Sequence, residues 1–235
     1  MDGIWLHTKS RERMADATEG FLNEPIRRSL IQVLNTLWEK VPRCKIHDLV
    51  RDLTIEIALE VKFFDIYDPR KHSISSFCLR HVIHGQGQRY LSLDFSKLKL
   101  RSIMLYDRYF FKLGLINFHN EFQHVYVLHL VIHSVTKLPD VIGNLYHLKF
   151  LALKGIHNFP SSLGNLKNLQ TLHVNEYILL CKLPPKTALQ INVRHFIAPY
   201  SKPLKRISKL TSLQLLSGIS YDQWKDVYFV NLVNL

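Results

Sequence analysis

The chain has 235 residues, 47% of them apolar, which is ample for a core in one or two domains. Its formal charge of +12 is scattered: the densest group is Lys202, Lys205, Arg206 and Lys209, and no recognition helix or RNA-binding signature accompanies it. This excludes nucleic acid as the expected partner and favours a basic, solvated face meeting an acidic protein surface. The longest apolar run, around Val125 to Ile132, is far too short to cross a bilayer, and no signal-peptide pattern opens the sequence. Cys44, Cys78 and Cys181 are odd in number and widely spaced, and no Asn-x-Ser/Thr acceptor occurs. A reducing, cytoplasmic setting is expected, without stable membrane insertion.

In chain order, Arg11 to Leu22 has Met14, Ala15, Thr18, Phe21 and Leu22 at helical spacing, with Gly20 and Pro25 placed to interrupt or end that helix. Leu30 to Val33 reads as a short strand, Asn35 to Pro42 as a polar turn, and Arg43 to Ile46 as a second strand. Asp48 is placed to cap the next helix, with Leu49, Val50, Leu53, Ile57, Ala58 and Val61 as its buried stripe. Helix, hairpin, helix is compatible with a winged-helix remnant over residues 1–62. Residues 63–97 read as a connector and possible repeat cap, in which Gly85-Gln86-Gly87 is a turn lacking the strand-to-helix setting of a phosphate-binding loop.

From residue 98 to 235 the texture changes to a repeat. Leu138-Pro139, Ile142-Gly143-Asn144-Leu145, Leu148, Leu151 and Leu153 superimpose, after a shift of 21, on Phe159-Pro160, Leu163-Gly164-Asn165-Leu166, Leu169, Leu172 and Val174. Both stretches read LPxxIGNLxxLxxLxL, the signature of a leucine-rich solenoid with one strand per coil. The opening residue of each LxxLxL falls at Leu100, Val125, Leu148, Leu169, Val193, Leu213 and Leu235, giving six to seven coils. Parallel strands are therefore expected near Val127, Phe150, Thr171, His195 and Leu215. The last, at Asn231 to Leu235, has barely begun, so the repeat domain reads as truncated. The fold class is α/β: a leucine-rich-repeat solenoid preceded by a small helical, winged-helix remnant.

The leucines hold the coil, so function must come from the variable positions. Alternation along each strand points His129, Ala152, His173, Ile197 and Ser217 to the concave face. A second row, just after the first core residue, holds Tyr126, Lys149, Gln170, Arg194 and Gln214. The candidate partner-binding face is Tyr126, His129, Lys149, Gln170, His173, Arg194 and Gln214. Position nine of the repeat frame, filled by a buried ladder in regular coils, holds His133, Ile156 and Tyr177 here.

Arg28-Ser29-Leu30-Ile31-Gln32-Val33 followed by Cys44 to Leu53, with this repeat downstream, resembles the end of the nucleotide-binding region of plant intracellular disease-resistance proteins. These are nucleotide-binding, leucine-rich-repeat immune receptors of the coiled-coil, late-blight-resistance-like class. The resemblance covers about residues 10–235 and implies a C-terminal piece of such a receptor. It implies that His47 and Asp48 stand at a Met-His-Asp motif, His47 facing ADP phosphate and Asp48 helping to hold the resting state. Ile46 replaces the usual Met. The sequence contains no G-x-x-x-x-G-K-[ST] loop, so the motif is expected to be vestigial, with ADP or ATP relevant only within a full-length receptor. The implied role is defence by protein recognition or autoinhibitory contact, the partner being a pathogen effector, a guarded host protein or the receptor's own nucleotide-binding region. The alternative is a stand-alone leucine-rich-repeat signalling scaffold. No nucleophile elbow, catalytic cysteine signature or completed metal-ligand cluster occurs, so neither catalysis nor a metal is expected.

Overall fold

A computed structural model describes residues 23–37, 40–70, 78–95, 98–107, 122–132, 137–175, 182–199, 201–202, 204 and 206–217. The expected helix at Arg11 to Leu22, position-nine residues His133 and Tyr177, Cys181, Lys205 and the strand at Asn231 to Leu235 lie outside these residues. The chain divides into two units, 1–63 and 64–235.

The described part of the first unit starts with helical residues 23–27, which include Pro25 instead of ending before it. The Pro25 carbonyl accepts from Leu30 N at 2.9 Å. Strands β1 (Ile31–Leu37) and β2 (Lys40–Ile46) form an antiparallel hairpin in which Ile31 faces Ile46 and Val33 faces Cys44. Both are longer than expected, and most of the supposed Asn35-to-Pro42 turn is strand, because register shifts absorb its irregular residues. Helix α1 (Asp48–Glu60) follows. Its apolar stripe is not buried: Leu49 is 75%, Leu53 55%, Ile57 48% and Val61 65% exposed. Among the described residues no element covers it.

The second unit is one parallel sheet in strict chain order: β3 (Asp65–Ile66), β4 (Arg80–His84), β5 (Ser102–Asp107), β6 (Val127–Ile132), β7 (Phe150–Lys154), β8 (Thr171–Asn175), β9 (His195–Ile197) and β10 (Leu215–Ser217). The expected strands are present and parallel, although Val127, Phe150, Thr171, His195 and Leu215 open them instead of centring them. The register places Leu128, Leu151, Leu172 and Phe196 in one row and Leu130, Leu153 and Val174 in the next, all buried. Each coil buries leucines that it could not bury alone.

The sheet starts earlier than the repeat motif. In β4 the register sets Arg80 opposite Ser102, so Cys78, His81 and Ile83 take the places of Leu100, Ile103 and Leu105. All three are buried. The segment read as a connector and possible repeat cap thus supplies the first strands of this sheet. The core at this end is aromatic: Tyr90 packs on Tyr67, Phe95 and His81, Phe95 packs on Phe122, and Tyr90 Oη lies 2.8 Å from His81 Nδ1.

From β6 onward the returning side of each coil is a 3₁₀ turn: Asp140–Asn144, Ser161–Asn165, Pro185–Leu189 and Ile207–Lys209. A Cβ at Gly143 would sit 2.5 Å from the Ser162 carbonyl oxygen, and one at Gly164 would sit 2.6 Å from Lys186 Cβ. The glycine of the IGN motif is therefore a close-approach residue between coils, not a turn residue. Position nine makes no polar ladder at Ile156, which is buried and apolar. Amides elsewhere cross between coils instead: Asn168 Nδ2 donates to the Tyr146 carbonyl and Asn192 Nδ2 to the Lys167 carbonyl, each at 2.7 Å. One leucine position is polar. Gln190, fully buried where neighbouring coils have Leu145, Leu166 and Leu210, donates to the Leu163 carbonyl at 2.6 Å.

Candidate protein-recognition face

Strands alternate, so the side of the sheet away from the leucines carries three rows from β4 to β10. One runs Val82, Met104, His129, Ala152, His173, Ile197 and Ser217. Its His129 and His173 are half-buried, Ser217 is exposed and Ala152 is buried, so Ala152 offers no contact. The flanking row, Tyr126, Lys149, Gln170, Arg194 and Gln214, is tied by backbone bonds from each N–H to the preceding coil's carbonyl, at 2.7–2.9 Å. The two rows are separate. Tyr126 meets its own row, with Lys149 Nζ 5.5 Å from its ring centroid, and also His147 at 6.1 Å.

Two rows were missed by reading only one outward position per strand. Arg80, Ser102, Val127, Phe150, Thr171, His195 and Leu215 precede the first row by two residues, and His84, Tyr106, Val131 and Lys154 follow it by two. A period of two places all of them on the same face. His84 stacks on Tyr106 with centroids 5.2 Å apart, and the Tyr106 ring sits edge-on to His129 at 5.3 Å. Tyr106 Oη lies 3.4 Å from His129 Nδ1, and Thr171 Oγ1 lies 3.0 Å from His195 Nδ1. Among the described residues of these rows there is no aspartate or glutamate.

Burial disfavours the charged form of these imidazoles. It lowers His129 to about 4, with the Lys154 ammonium, and His173 whenever that ring is protonated, acting in the same direction. His173 is lowered by burial, and His195 by burial and then by Arg194. Below about pH 6.5 an unfolded chain binds protons that these folded sites resist, so stability is complete above that value and falls on acidification. We expect the urea midpoint of the chain to drop between about pH 6.5 and about pH 4, and His129→Gln to flatten that slope. A midpoint constant across this window would show that the rings are not shielded.

In the first unit His47, not Asp48, is the N-cap of α1: its Nδ1 accepts from Leu49 N at 3.4 Å. Its extended backbone (φ −58°, ψ 138°) suits a capping residue, while Asp48 begins the helix and pairs with Arg51 at 3.2 Å. Both line a cavity of about 560 Å³ with Ile26, Ser29, Ile31, Gln32, Val33, Lys45 and Ile46. The Gly85-Gln86-Gly87 turn does link a strand to a helix, contrary to expectation, but that helix is the single turn α2 (Gly87–Tyr90). Its leading N–H already donates to Asp107 Oδ2, at 2.7 Å. Among the described residues no group of three metal-ligating side chains converges, and no helix is long and apolar enough to cross a membrane.

A family model described as leucine-rich repeat region matches residues 99–235, and one described as disease resistance protein winged helix domain matches residues 2–54. The fold is thus that of a leucine-rich-repeat protein. The chain belongs to the leucine-rich-repeat family of plant disease-resistance proteins. It is 31% identical over 229 residues to the disease resistance protein RPP13 of Arabidopsis thaliana, covering 94% of this chain and 26% of that one. With the RPP13-like protein 3 of the same plant it shares 31% identity over 234 residues, 94% of this chain and 27% of the relative. The chain therefore spans about a quarter of the length of these curated relatives. Among solved structures, a Listeria monocytogenes internalin overlaps 68% of this chain and 46% of its own, at 14% identity and TM-score 0.46.

Proposed function

We propose that this chain serves plant defence by recognising a protein through the free face of its parallel sheet, in the cytoplasm and without chemistry of its own. The observation that carries the reading is that this face bears Arg80, Arg101, Lys149, Lys154 and Arg194 with no carboxylate among its described residues. Such a surface favours an acidic partner: charge speeds encounter, and Tyr126 with Phe150 supplies apolar contact. The partner classes that suit it are a pathogen-derived protein, a guarded host protein, or the nucleotide-binding region of a longer receptor. His47 and Asp48 belong to that last context, where a nucleotide would be held mainly by groups this sequence does not carry; one imidazole does not replace a ring of backbone N–H donors and a lysine.

Reversing Lys149 and Arg194 to Glu tests the face. Lys149 is half-buried and Arg194 exposed, and neither is in the leucine core, so the fold should be unchanged by circular dichroism. Association with an acidic protein partner should weaken at least about tenfold at low salt, with the difference shrinking as salt rises. Binding that survives the double reversal would move recognition to the coil edges or the 3₁₀ side.

A further inference from the structure

We propose that the imidazoles of His129 and His173, one on each side of Ala152, clamp a carboxylate from an acidic segment of the protein partner. This deepens the reading of the free face and rests on it. The register sets His129, Ala152 and His173 side by side on β6, β7 and β8. The two histidines are thus two strand spacings apart, about 10 Å between backbones, with only a methyl group between their side chains. A carboxylate is small enough to be reached from both rings across such a low point, whereas a larger residue in place of Ala152 would fill it.

The surroundings select the ligand's sign. The groups facing the pair are Arg80 and His84 from β4, Tyr106 from β5, Lys154 from β7 and His195 from β9, with Arg101, Lys149 and Arg194 on the flank. None is a carboxylate. Tyr106 also orients the first ring: when its hydroxyl donates to His129 Nδ1, 3.4 Å away, the ring proton sits on Nε2, the atom left to donate to a ligand. The stacked His84 fixes Tyr106 in turn.

Binding and proton uptake are linked at such a site. Burial disfavours the imidazolium of both rings in the free chain. An incoming carboxylate favours the charged form. Docking therefore draws a proton from solvent onto the pair, with no bond made or broken beyond that transfer.

The test is calorimetry of the full chain with a synthetic oligoglutamate, in two buffers of different ionisation enthalpy, with oligoglutamine and inorganic phosphate as comparisons. We expect net proton uptake on binding oligoglutamate and affinity about tenfold higher near pH 6 than near pH 7.5. His129→Gln with His173→Gln should abolish the uptake and the pH dependence, with circular dichroism unchanged. Lys149→Glu with Arg194→Glu should weaken binding at every pH while leaving the uptake in place. Loss of binding in the lysine–arginine variant, with uptake unaltered in the double glutamine variant, would overturn the clamp and leave the face reading standing. Equal proton uptake with phosphate would replace the carboxylate by a general anion site and overturn the proposal. No binding of oligoglutamate at any pH would remove both readings.

Discussion

Gly164→Ala is expected to lower the stability of the solenoid by about 1–3 kcal/mol, the usual cost of forcing atoms into a filled space. The added Cβ would lie 2.6 Å from Lys186 Cβ, 2.7 Å from the Lys186 carbonyl oxygen and 2.9 Å from its carbonyl carbon. Two of those atoms are backbone, so the strain cannot be relieved by a rotamer change; the coils must part. Gly143→Ala should behave alike, because its Cβ would meet the carbonyl and Cβ of Ser162. The next coil supplies the control. Ala188 occupies the equivalent position and is 1% exposed, so a methyl group is already housed there. Ala188→Gly should cost only about 0.5–1 kcal/mol, through backbone entropy. Thermal and urea unfolding of the three variants measure this. Equal, small effects at all three sites would mean that the coils are not in contact at the glycines.

Asp107→Ala should destabilise the same unit by about 1–3 kcal/mol, the penalty for stranding a buried donor. Asp107 is 5% exposed at the end of β5, and its Oδ2 accepts from Gly87 N. That bond anchors the turn made by Gly85 and Gln86, both at positive φ, and so positions Tyr90, around which Tyr67, His81 and Phe95 gather. Asp107→Asn keeps an acceptor oxygen and should be milder. Hydrogen exchange at the Gly87 amide gives a local readout: rapid exchange in the alanine variant alone supports the bond, and unchanged protection would sink it.

Much of the solenoid was legible because its leucines share one register. Leu148, Leu151 and Leu153 repeat as Leu169, Leu172 and Val174, and one shared register buries both sets. The first coils were not legible, because Cys78, His81 and Tyr67 stand where leucines stand later, and their burial depends on aromatic neighbours distant in sequence. The free face was half legible. Alternation placed His129 and His173, but the polar look of Tyr126, Lys149 and Arg194 drew attention from the equally outward Phe150 and His195. In the first unit, pattern alone misjudged α1: a helix-spaced apolar stripe states what a helix must cover, not what covers it. His47 took the cap from Asp48 by a single residue, a distinction that lies in backbone angles and not in composition.

The leucine positions of the stack are interchangeable apolar sites, and Gln190 is the exception. Its buried amide needs an acceptor across the coil boundary and finds the Leu163 carbonyl. That acceptor is backbone, which a coil presents whatever its side chains, so the polar site constrains only the coil that carries it. The coil before it is left free to vary in sequence, and recombination that brought in a different neighbour would still meet the amide with a carbonyl.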